Sequence, residues 1–252
     1  MQYAEYPFKT MGISQGPSGS YSHAKYSQGS PKDYPVDEAG ANTGKDYMYA
    51  PCDVVVMKIY GTGSSSRPNT VWLQSTERVV TPIGIHYICG RATHMSDADL
   101  KGLKVGHVFK KGEKMFREGV DGGATGNHIH MTWGTGKFEG SGWKQNSRGA
   151  YVLTTTGSNK RVEEIFFVDP EFTSRIRSTQ GITFKKTPKK KNMIVSVGNS
   201  RLNVRASYGS TSKIVGKLKS GAAVTVYCTR NSRACIGYNK WVHTDYLKAI
   251  KQ

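Results

Sequence analysis

The sequence predicts an all-β protein. Short runs rich in Val, Ile, Thr and aromatic residues alternate with segments rich in Gly, Ser and Asn, a pattern typical of strands joined by turns. Glycine (29) and tyrosine (14) are abundant, and long amphipathic helical patterns are scarce. With 252 residues, the chain is long enough for two modest domains, each with its own core.

Six strands and one short helix are predicted in the first part of the chain. Ser96 followed by acidic residues predicts a capped helix over Ser96–Leu103. Glu163–Ile176, which contains a proline, is expected to be a loop or a short helix. The strand candidates are Val54–Ile59, Thr70–Gln74, Val79–Pro82, Ile85–Cys89, His128–Trp133 and Tyr151–Thr155.

A lysine-rich interruption separates these strands from a second group. The sequence FKKTPKKKN at 184–192 has five lysines and little to bury, so 181–192 is predicted as a solvated linker. A nuclear-localisation or nucleic-acid patch is the alternative. We therefore predict a first domain over 1–180 and a small β-barrel over 193–252. The strands expected in the barrel are Arg201–Arg205, Ile214–Leu218, Val224–Cys228 and Lys240–His243.

Positive charge is concentrated at one end of the chain. The net charge is +18, and residues 181–252 contain 15 Lys and Arg but only one acidic residue, Asp245. Such a segment favours a polyanionic partner, and nucleic acid, anionic lipid and anionic cell-wall polymers all qualify.

Several classes of protein are disfavoured by what the sequence lacks. It has no run of about 18 apolar residues, so no membrane span is predicted. The first residues do not resemble a secretory signal, so we expect synthesis in a cytoplasm. The four cysteines lack zinc-finger spacing and are expected to be free thiols, although Cys228 and Cys235 flank a probable turn and could pair under oxidation.

The segment TGNHIHMTW, residues 125–133, places two histidines one residue apart in a predicted strand. Residues i and i+2 of a strand share a face, so His128 and His130 should point to the same side. Imidazole is a common metal ligand and an acid–base group near neutral pH. The pair therefore indicates a metal or catalytic site, and two surface histidines are the alternative.

Other motifs occur around this pair in a fixed order. The series, spread over residues 12–135, resembles the lysostaphin-type zinc metallopeptidases that cut bacterial peptidoglycan. The resemblance implies an antiparallel-sheet metallopeptidase domain. Its motifs in this chain are ISQGPSGSYSH, YPVDEAG, YAPCDVVV, RATHMSD, KVGHVFKKGEKMFREG and ATGNHIHMTW.

The same resemblance implies roles for five residues. His23, Asp37 and His130 correspond to the ligands of a Zn²⁺ ion, and His94 and His128 to a catalytic pair. Fourteen positions separate His23 from Asp37, more than is usual in the family, which leaves Asp33 as a rival ligand.

Two further interpretations complete the site. His86 is a weaker candidate for the role of His94. The segments Ser14–Gly19, Gly61–Asn69 and Gly134–Gly142 are expected to form the walls of a substrate groove.

The second domain resembles a bacterial SH3-like domain. The series LNVR, GKLKSGAAVTV and KWVHTDYL carries this resemblance, which implies binding to cell-wall peptide or polymer. Trp241 and Tyr246 are expected in the barrel core. For Tyr208 and Tyr238, the core and an exposed binding surface are both open alternatives.

Together the resemblances imply a zinc metalloendopeptidase that cleaves an amide bond in the stem or cross-bridge peptide of peptidoglycan. Its setting would be that of a phage endolysin, made in the host cytoplasm and acting on a Gram-positive wall after release, as a monomer. The alternatives are an N-acetylmuramoyl-L-alanine amidase and a non-catalytic wall-binding protein. A nucleic-acid-binding role is not expected, because no nucleic-acid motif accompanies the basic segment.

Overall fold

The computed structural model describes residues 1–40, 46–61 and 68–250, and the chain divides into two compact units. Unit 1 comprises Met1–Val79 and Tyr87–Lys186, and unit 2 comprises Val80–His86 and Thr187–Gln252. Unit 2 is therefore discontinuous in sequence. The domain boundaries at 180 and 193 stay predictions, and the last two residues of the second domain lie outside the described part of the chain.

The described residues of unit 1 contain thirteen strands and three short helices, two strands fall in the hairpin at 79–86, and eight further strands follow. The helices are α1 (Ala24–Ser27), α2 (Asp97–Leu100) and α3 (Val162–Ile165). The strands up to residue 178 are β1 (Thr10–Gln15), β2 (Val36–Glu38), β3 (Tyr47–Tyr49), β4 (Val54–Tyr60), β5 (Thr70–Ser75), β6 (Val79–Thr81), β7 (Gly84–His86), β8 (Ile88–Thr93), β9 (Val108–Phe109), β10 (Lys114–Arg117), β11 (Ile129–Thr135), β12 (Phe138–Gln145), β13 (Tyr151–Thr155), β14 (Asn159–Lys160) and β15 (Arg175–Ser178). The remaining strands are β16 (Lys191–Val195), β17 (Arg201–Arg205), β18 (Ile214–Lys219), β19 (Ala223–Val226), β20 (Cys228–Arg230), β21 (Arg233–Gly237), β22 (Lys240–His243) and β23 (Leu247–Ala249).

One large sheet organises unit 1. Its strand order is β15-β1-β2-β11-β8-β5-β4-β9, and β14 also pairs with β11. The pairs are antiparallel, apart from the parallel contact of β1 with β15. The structure thus confirms the predicted all-β class and the antiparallel sheet, with one parallel pair at an edge.

The middle of this sheet is buried on both faces. Every residue of β8 and of β11 is buried, which suits their apolar and small side chains. Gly90 shows how closely the neighbouring strands β8 and β11 pack, because a Cβ built on it would lie 2.3 Å from the ring of its cross-strand partner Trp133. Only glycine fits at that position. A packed strand of this kind fixes the direction of the few polar side chains that it carries.

The secondary structure agrees with the sequence in most segments. Each of the six predicted strands overlaps a strand of the structure, although Ile85–Cys89 is divided between β7 and β8. The predicted helix at Ser96–Leu103 is the single turn α2, where Ser96 and Asp99 form a capping box. Of Glu163–Ile176, only the first residues are helical, in α3.

Unit 2 is built from short strands around a small core. Within the described residues, its sheets have the orders β19-β16-β23 and β18-β17-β22-β21-β20, and β6 pairs with β7. Trp241 is buried as expected, whereas Tyr246 is 47% exposed, so its assignment to the core is wrong. Tyr246 lies in a 3₁₀ turn after β22, outside the alternation that would direct it inward.

The segment predicted as a linker is partly packed. Ile182 is buried in the core of unit 1, and the Phe184 ring lies edge-on to Tyr6 at 5.2 Å. The apolar residues before the lysine run therefore anchor the end of unit 1. In the described part of the chain, no helix is long and apolar enough to cross a membrane.

Candidate metal centre

Three neighbouring strands place the central polar residues. His130 lies in β11, directly opposite Asp37 of β2 on one side and Thr93 of β8 on the other. His94 follows β8, and His23 immediately precedes α1. His128 lies just before β11 and forms a bridge with Gly119, so it extends the same strand direction. Alternation along the strand then directs His128 and His130 to one face, as predicted.

Asp37 is the centre of the cluster. Its Oδ1 atom lies 2.9 Å from His130 Nδ1, 3.1 Å from His23 Nε2 and 3.6 Å from His128 Nε2. One ligand atom from each of His23, Asp37 and His130 lies within 4.8 Å of the other two, and all three residues are buried. The fold therefore brings together the three residues that the resemblance implies as metal ligands.

Three of the four histidines are tied to the main chain through Nδ1. His23 Nδ1 lies 2.8 Å from the Gly16 carbonyl, and His128 Nδ1 lies 2.7 Å from the Gly126 carbonyl. His94 Nδ1 lies 2.6 Å from the Asp121 carbonyl. A carbonyl oxygen can only accept, so each Nδ1 donates and each neutral ring keeps its lone pair on Nε2.

This tautomer makes the donor set suitable for a cation. His23 presents a lone pair on Nε2 to a carboxylate oxygen, and two electron-rich atoms face each other favourably only with a positive charge between them. Two imidazole nitrogens, one carboxylate oxygen and an open groove match a catalytic zinc site, which has three protein ligands and a free position. The carbonyl contact of His23 also matches the supporting hydrogen bond usual for metal-bound histidine.

Ionisation in the cluster agrees with this assignment. Burial opposes the charge on Asp37, but the adjacent His130 and His23 side chains outweigh burial and hold the pKa of Asp37 well below its usual range. Burial lowers the pKa of the His130 imidazole, so this ring is neutral at neutral pH. An ionised carboxylate and neutral imidazoles are the forms that bind zinc.

His94 and His128 form a second pair beside the cluster. Their ring centroids are 4.7 Å apart, and the His94 ring lies 5.9 Å from that of His130. Burial is the main cause that lowers the pKa of His94, which favours its neutral form. His94 has φ 83°, a left-handed conformation that is costly for a side chain of this kind.

The strained backbone of His94 is held by contacts on both sides. Its N–H donates to the Asn69 carbonyl at 3.0 Å, and its carbonyl accepts from Asp121 N–H at 3.3 Å. A Cβ on Gly119 would lie 2.4 Å from the His94 carbonyl oxygen, so this position requires glycine. The surrounding chain thus fixes the imidazole direction at an energetic cost, which is typical of functional residues.

Asp33, the rival of Asp37, and His86, the weaker candidate for the role of His94, both lie outside the cluster. Asp33 is fully buried, and its carboxylate accepts N–H donors of Tyr34 and Leu153, each at 3.1 Å. Arg91 Nη2 lies 3.8 Å from the same carboxylate. Asp33 is therefore committed to a structural network, and Asp37 occupies the cluster. His86 belongs to β7 in unit 2 and is not part of the cluster.

A groove of about 1240 Å³ opens above the histidines. Of the predicted walls, Ser14 and Gln15 line it, as does Pro68, whereas 62–67 lie outside the described residues. Gly134–Gly142 does not supply the lining; the neighbouring Trp143 does. Tyr26 and Arg91 also line the groove, and neither was predicted from the sequence. The signal for Arg91 was available, since it is a charged residue inside the buried strand ICGRAT.

Comparisons with known proteins give limited similarities. No family model matches the chain. It is 29% identical over 170 residues to Morphogenesis protein 1 of Bacillus phage B103, a match that covers 67% of this chain and 41% of that protein. The chain thus matches less than half the length of this curated relative.

The solved structures that show a low similarity to the chain include two of lysostaphin. The antimicrobial peptidase lysostaphin from Staphylococcus simulans has a TM-score of 0.38 at 14% identity, over 98% of this chain and 97% of that one. The solution structure of lysostaphin gives 0.34 at 14% identity, over 84% and 79% of the two chains. Helicobacter pylori Csd3 gives 0.34 at 20% identity, over 64% and 35%. Lysostaphin gives its name to the family that the sequence motifs resemble.

Proposed function

We propose that the protein is a zinc-dependent endopeptidase that hydrolyses an amide bond in the peptide part of bacterial peptidoglycan. The observation that carries the proposal is the convergence of His23 Nε2, Asp37 Oδ1 and His130 Nδ1. Two of these residues, Asp37 and His130, line the open groove. The ordered motif series supports the substrate class, since it resembles that of peptidoglycan-cutting peptidases.

The cluster and the second histidine pair divide the chemistry between them. His23, Asp37 and His130 would hold the ion, which when bound supplies a Lewis acid that polarises a carbonyl and acidifies a water molecule. His94 and His128 keep a lone pair on Nε2, because each donates its Nδ1 proton to a backbone carbonyl. Either ring can therefore take a proton from the attacking water and return one to the leaving amine.

Unit 2 is proposed to bind the cell wall. Residues 181–252 have 15 basic residues against Asp245 alone, which gives this segment a net charge of +14. Anionic polymers of a Gram-positive wall offer a complementary surface, and such attraction weakens with salt. The SH3-like motif series supports a wall component over nucleic acid as the partner.

Two biological settings fit a phage origin. In the first, the protein is an endolysin, made in the host cytoplasm and released to the wall at the end of infection. In the second, it is a wall-cutting part of the virus particle, a candidate favoured by the similarity to a protein named for phage morphogenesis. Immunoblotting of purified particles and of host fractions separates the two, because an endolysin is absent from the particles.

The enzymatic proposal is tested by lysis of purified Gram-positive walls. We expect turbidity to fall with the zinc-loaded protein, to stop with a chelator and to recover when zinc is restored. His130→Ala should abolish lysis and zinc binding, whereas His107→Ala, at an exposed turn, is the matched control and should change neither.

Mass spectrometry of the released fragments identifies the bond. New amino and carboxyl ends within the stem or cross-bridge peptide support an endopeptidase. A cut between muramic acid and L-alanine would make the protein an amidase instead. Wall binding without release of any fragment would contradict the enzymatic proposal and favour a non-catalytic wall binder.

A further inference from the structure

The charged groups of the groove outside the metal cluster are cationic. Among the described residues that line it, Lys25 and Arg91 are basic, and the carboxylate at its floor is Asp37 of the cluster itself. With Asp37 committed to the cation, the rest of the groove has an excess of positive charge. Such a lining attracts a substrate with a negative group.

Arg91 lies at a fixed distance from the metal cluster. In β11 and β8, His130 is paired with Thr93 and Thr132 with Arg91. The Arg91–Thr132 pair is therefore two residues along the same sheet face, about 7 Å from the Thr93–His130 pair. This separation corresponds to roughly two residues of an extended peptide, so a group bound by Arg91 would be close to the bond being cut.

The bonding of Arg91 inside the protein is incomplete. Its exposed fraction is only 6%, yet Nη1 makes one hydrogen bond, to the Tyr151 carbonyl at 2.9 Å. Nη2 is 3.8 Å from Asp33, too far for a hydrogen bond, and Nε has no partner within the part of the chain that the structure describes. Asp33 in turn already accepts two backbone N–H groups.

A buried guanidinium whose N–H donors lack acceptors costs free energy, unless a ligand supplies the missing acceptors. Arg presents five donors in a planar fork that fits a carboxylate. Arg91 lines the groove, so it can meet a substrate there. Lys25 is on α1 at the exposed rim of the same groove and adds attraction at longer range.

We infer that Arg91 binds a free carboxylate on the substrate, within about two residues of the scissile amide. This deepens the proposed endopeptidase function and rests on it. The substrate class is then a stem peptide with an unblocked carboxyl group, such as the α-carboxyl of a γ-linked glutamate or the free carboxyl of a diamino acid. A neutral oligoglycine bridge lacks this group.

The test compares peptides that differ only in this carboxyl. One pair has γ-D-glutamate or its carboxamide, and the other has diaminopimelate or its carboxamide, next to the bond identified by mass spectrometry. For the zinc-loaded wild-type protein, we expect kcat/KM to fall about 10- to 100-fold on amidation in at least one pair. A fall of this size is expected because the carboxamide loses one set of charge-assisted hydrogen bonds. Equal rates in both pairs, or preferred cleavage of oligoglycine, would overturn the inference.

Variants then assign the effect to Arg91. Arg91→Lys should retain part of the discrimination, and Arg91→Met should lose it. Lys104→Gln, at an exposed position that does not line the groove, is the matched control and should leave it unchanged. Because Arg91→Met leaves Asp33 buried without its cation, the double variant Arg91→Met with Asp33→Asn removes both charges and protects folding. A double variant that is folded and still discriminates would contradict the assignment.

Failure of the inference is distinguishable from failure of the proposed function. Binding of the same peptides is measured by titration calorimetry with the zinc-loaded protein, independently of turnover. Tighter binding of the carboxylate form, by at least about tenfold, supports the subsite even if neither peptide is cut. Cleavage of walls without any preference in rate or affinity retains the endopeptidase and rejects the subsite.

Discussion

Asp37 and Glu38 are consecutive residues of β2, and they face two different environments. Asp37 points to His23 and His130, which hold its pKa well below the usual range. Glu38 points to the opposite side of the sheet, where burial raises its pKa to about 7. Its carboxylate accepts from the Tyr6 hydroxyl and from the N–H groups of Gly12 and Gly40.

This difference shows that the partner, not burial alone, decides whether a carboxyl is charged. Both side chains are buried, and burial opposes ionisation of both. The imidazoles of His23 and His130 flank Asp37, whereas Glu38 has neutral donors and the nearby Asp46. On one face of β2, the Asp37 carboxylate is charged and suited to binding a cation. On the other face, the Glu38 carboxyl has a structural role and is readily protonated.

The largest expected effect comes from removing the charge of the Asp37 carboxylate, the proposed metal ligand. Asp37→Asn should lower zinc affinity and reduce wall lysis by about 1000-fold or more, because a neutral amide is a poor ligand. Asp33→Asn, the matched change four residues earlier, should keep one zinc per chain. Elemental analysis and lysis rates measure both. Loss of zinc from the Asp33 variant alone would reverse the assignment of the ligand.

Substitution of the second histidine pair should separate chemistry from metal binding. His94→Gln or His128→Gln should reduce kcat by about 100- to 10,000-fold, since each removes a proton-transfer group. Zinc content should stay near that of the wild type. A variant that loses its zinc together with its activity would place that histidine among the ligands.

Removal of the carboxyl on the structural face should affect stability. Glu38→Ala leaves the Tyr6 hydroxyl and two buried backbone N–H groups without their acceptor, so we expect a loss of about 2–4 kcal/mol. Glu38→Gln retains an acceptor and should cost less. Urea unfolding measures both, and Glu139→Gln, at an exposed position, is the control. Equal stability of the alanine variant and wild type would contradict this role.

The smallest effect concerns Glu118, on the same side as Glu38. Burial raises its pKa to about 8, with Asp46 and Glu38 as the nearby acids. The folded protein thus keeps a proton that the unfolded chain releases above its ordinary value of 4.5. Stability should therefore fall as pH rises between these two values.

Glu118→Gln removes the titrating carboxyl and therefore this loss of stability at high pH. We expect the variant to be more stable than wild type near pH 8, by on the order of 1 kcal/mol, and to show a flatter pH dependence. Its amide still accepts from Asp46 N–H and can donate toward the Asp46 carboxylate. Thermal unfolding from pH 5 to pH 9 measures the effect. Identical pH profiles for variant and wild type would show that Glu118 is ionised in the fold.

Much of the fold and the cluster could be predicted from local patterns. Strands such as β4, β5 and β13 follow from runs of apolar and β-branched residues, and the common face of His128 and His130 follows from strand alternation. Long-range pairing could not be predicted in this way. The choice of Asp37 over Asp33 depends on Leu153 and Arg91, which are remote in sequence. The inclusion of Val80–His86 in unit 2 is equally invisible to local patterns.

The backbone carbonyls that hold His23, His94 and His128 have a consequence for how the centre is assembled. Each carbonyl accepts the Nδ1 proton of its ring, and this hydrogen bond helps to fix the ring orientation. We therefore expect the proposed cation to load onto the already folded protein, as a docking event instead of a folding step. If the site binds zinc as proposed, exchange of one divalent ion for another should proceed on the native protein by simple dialysis.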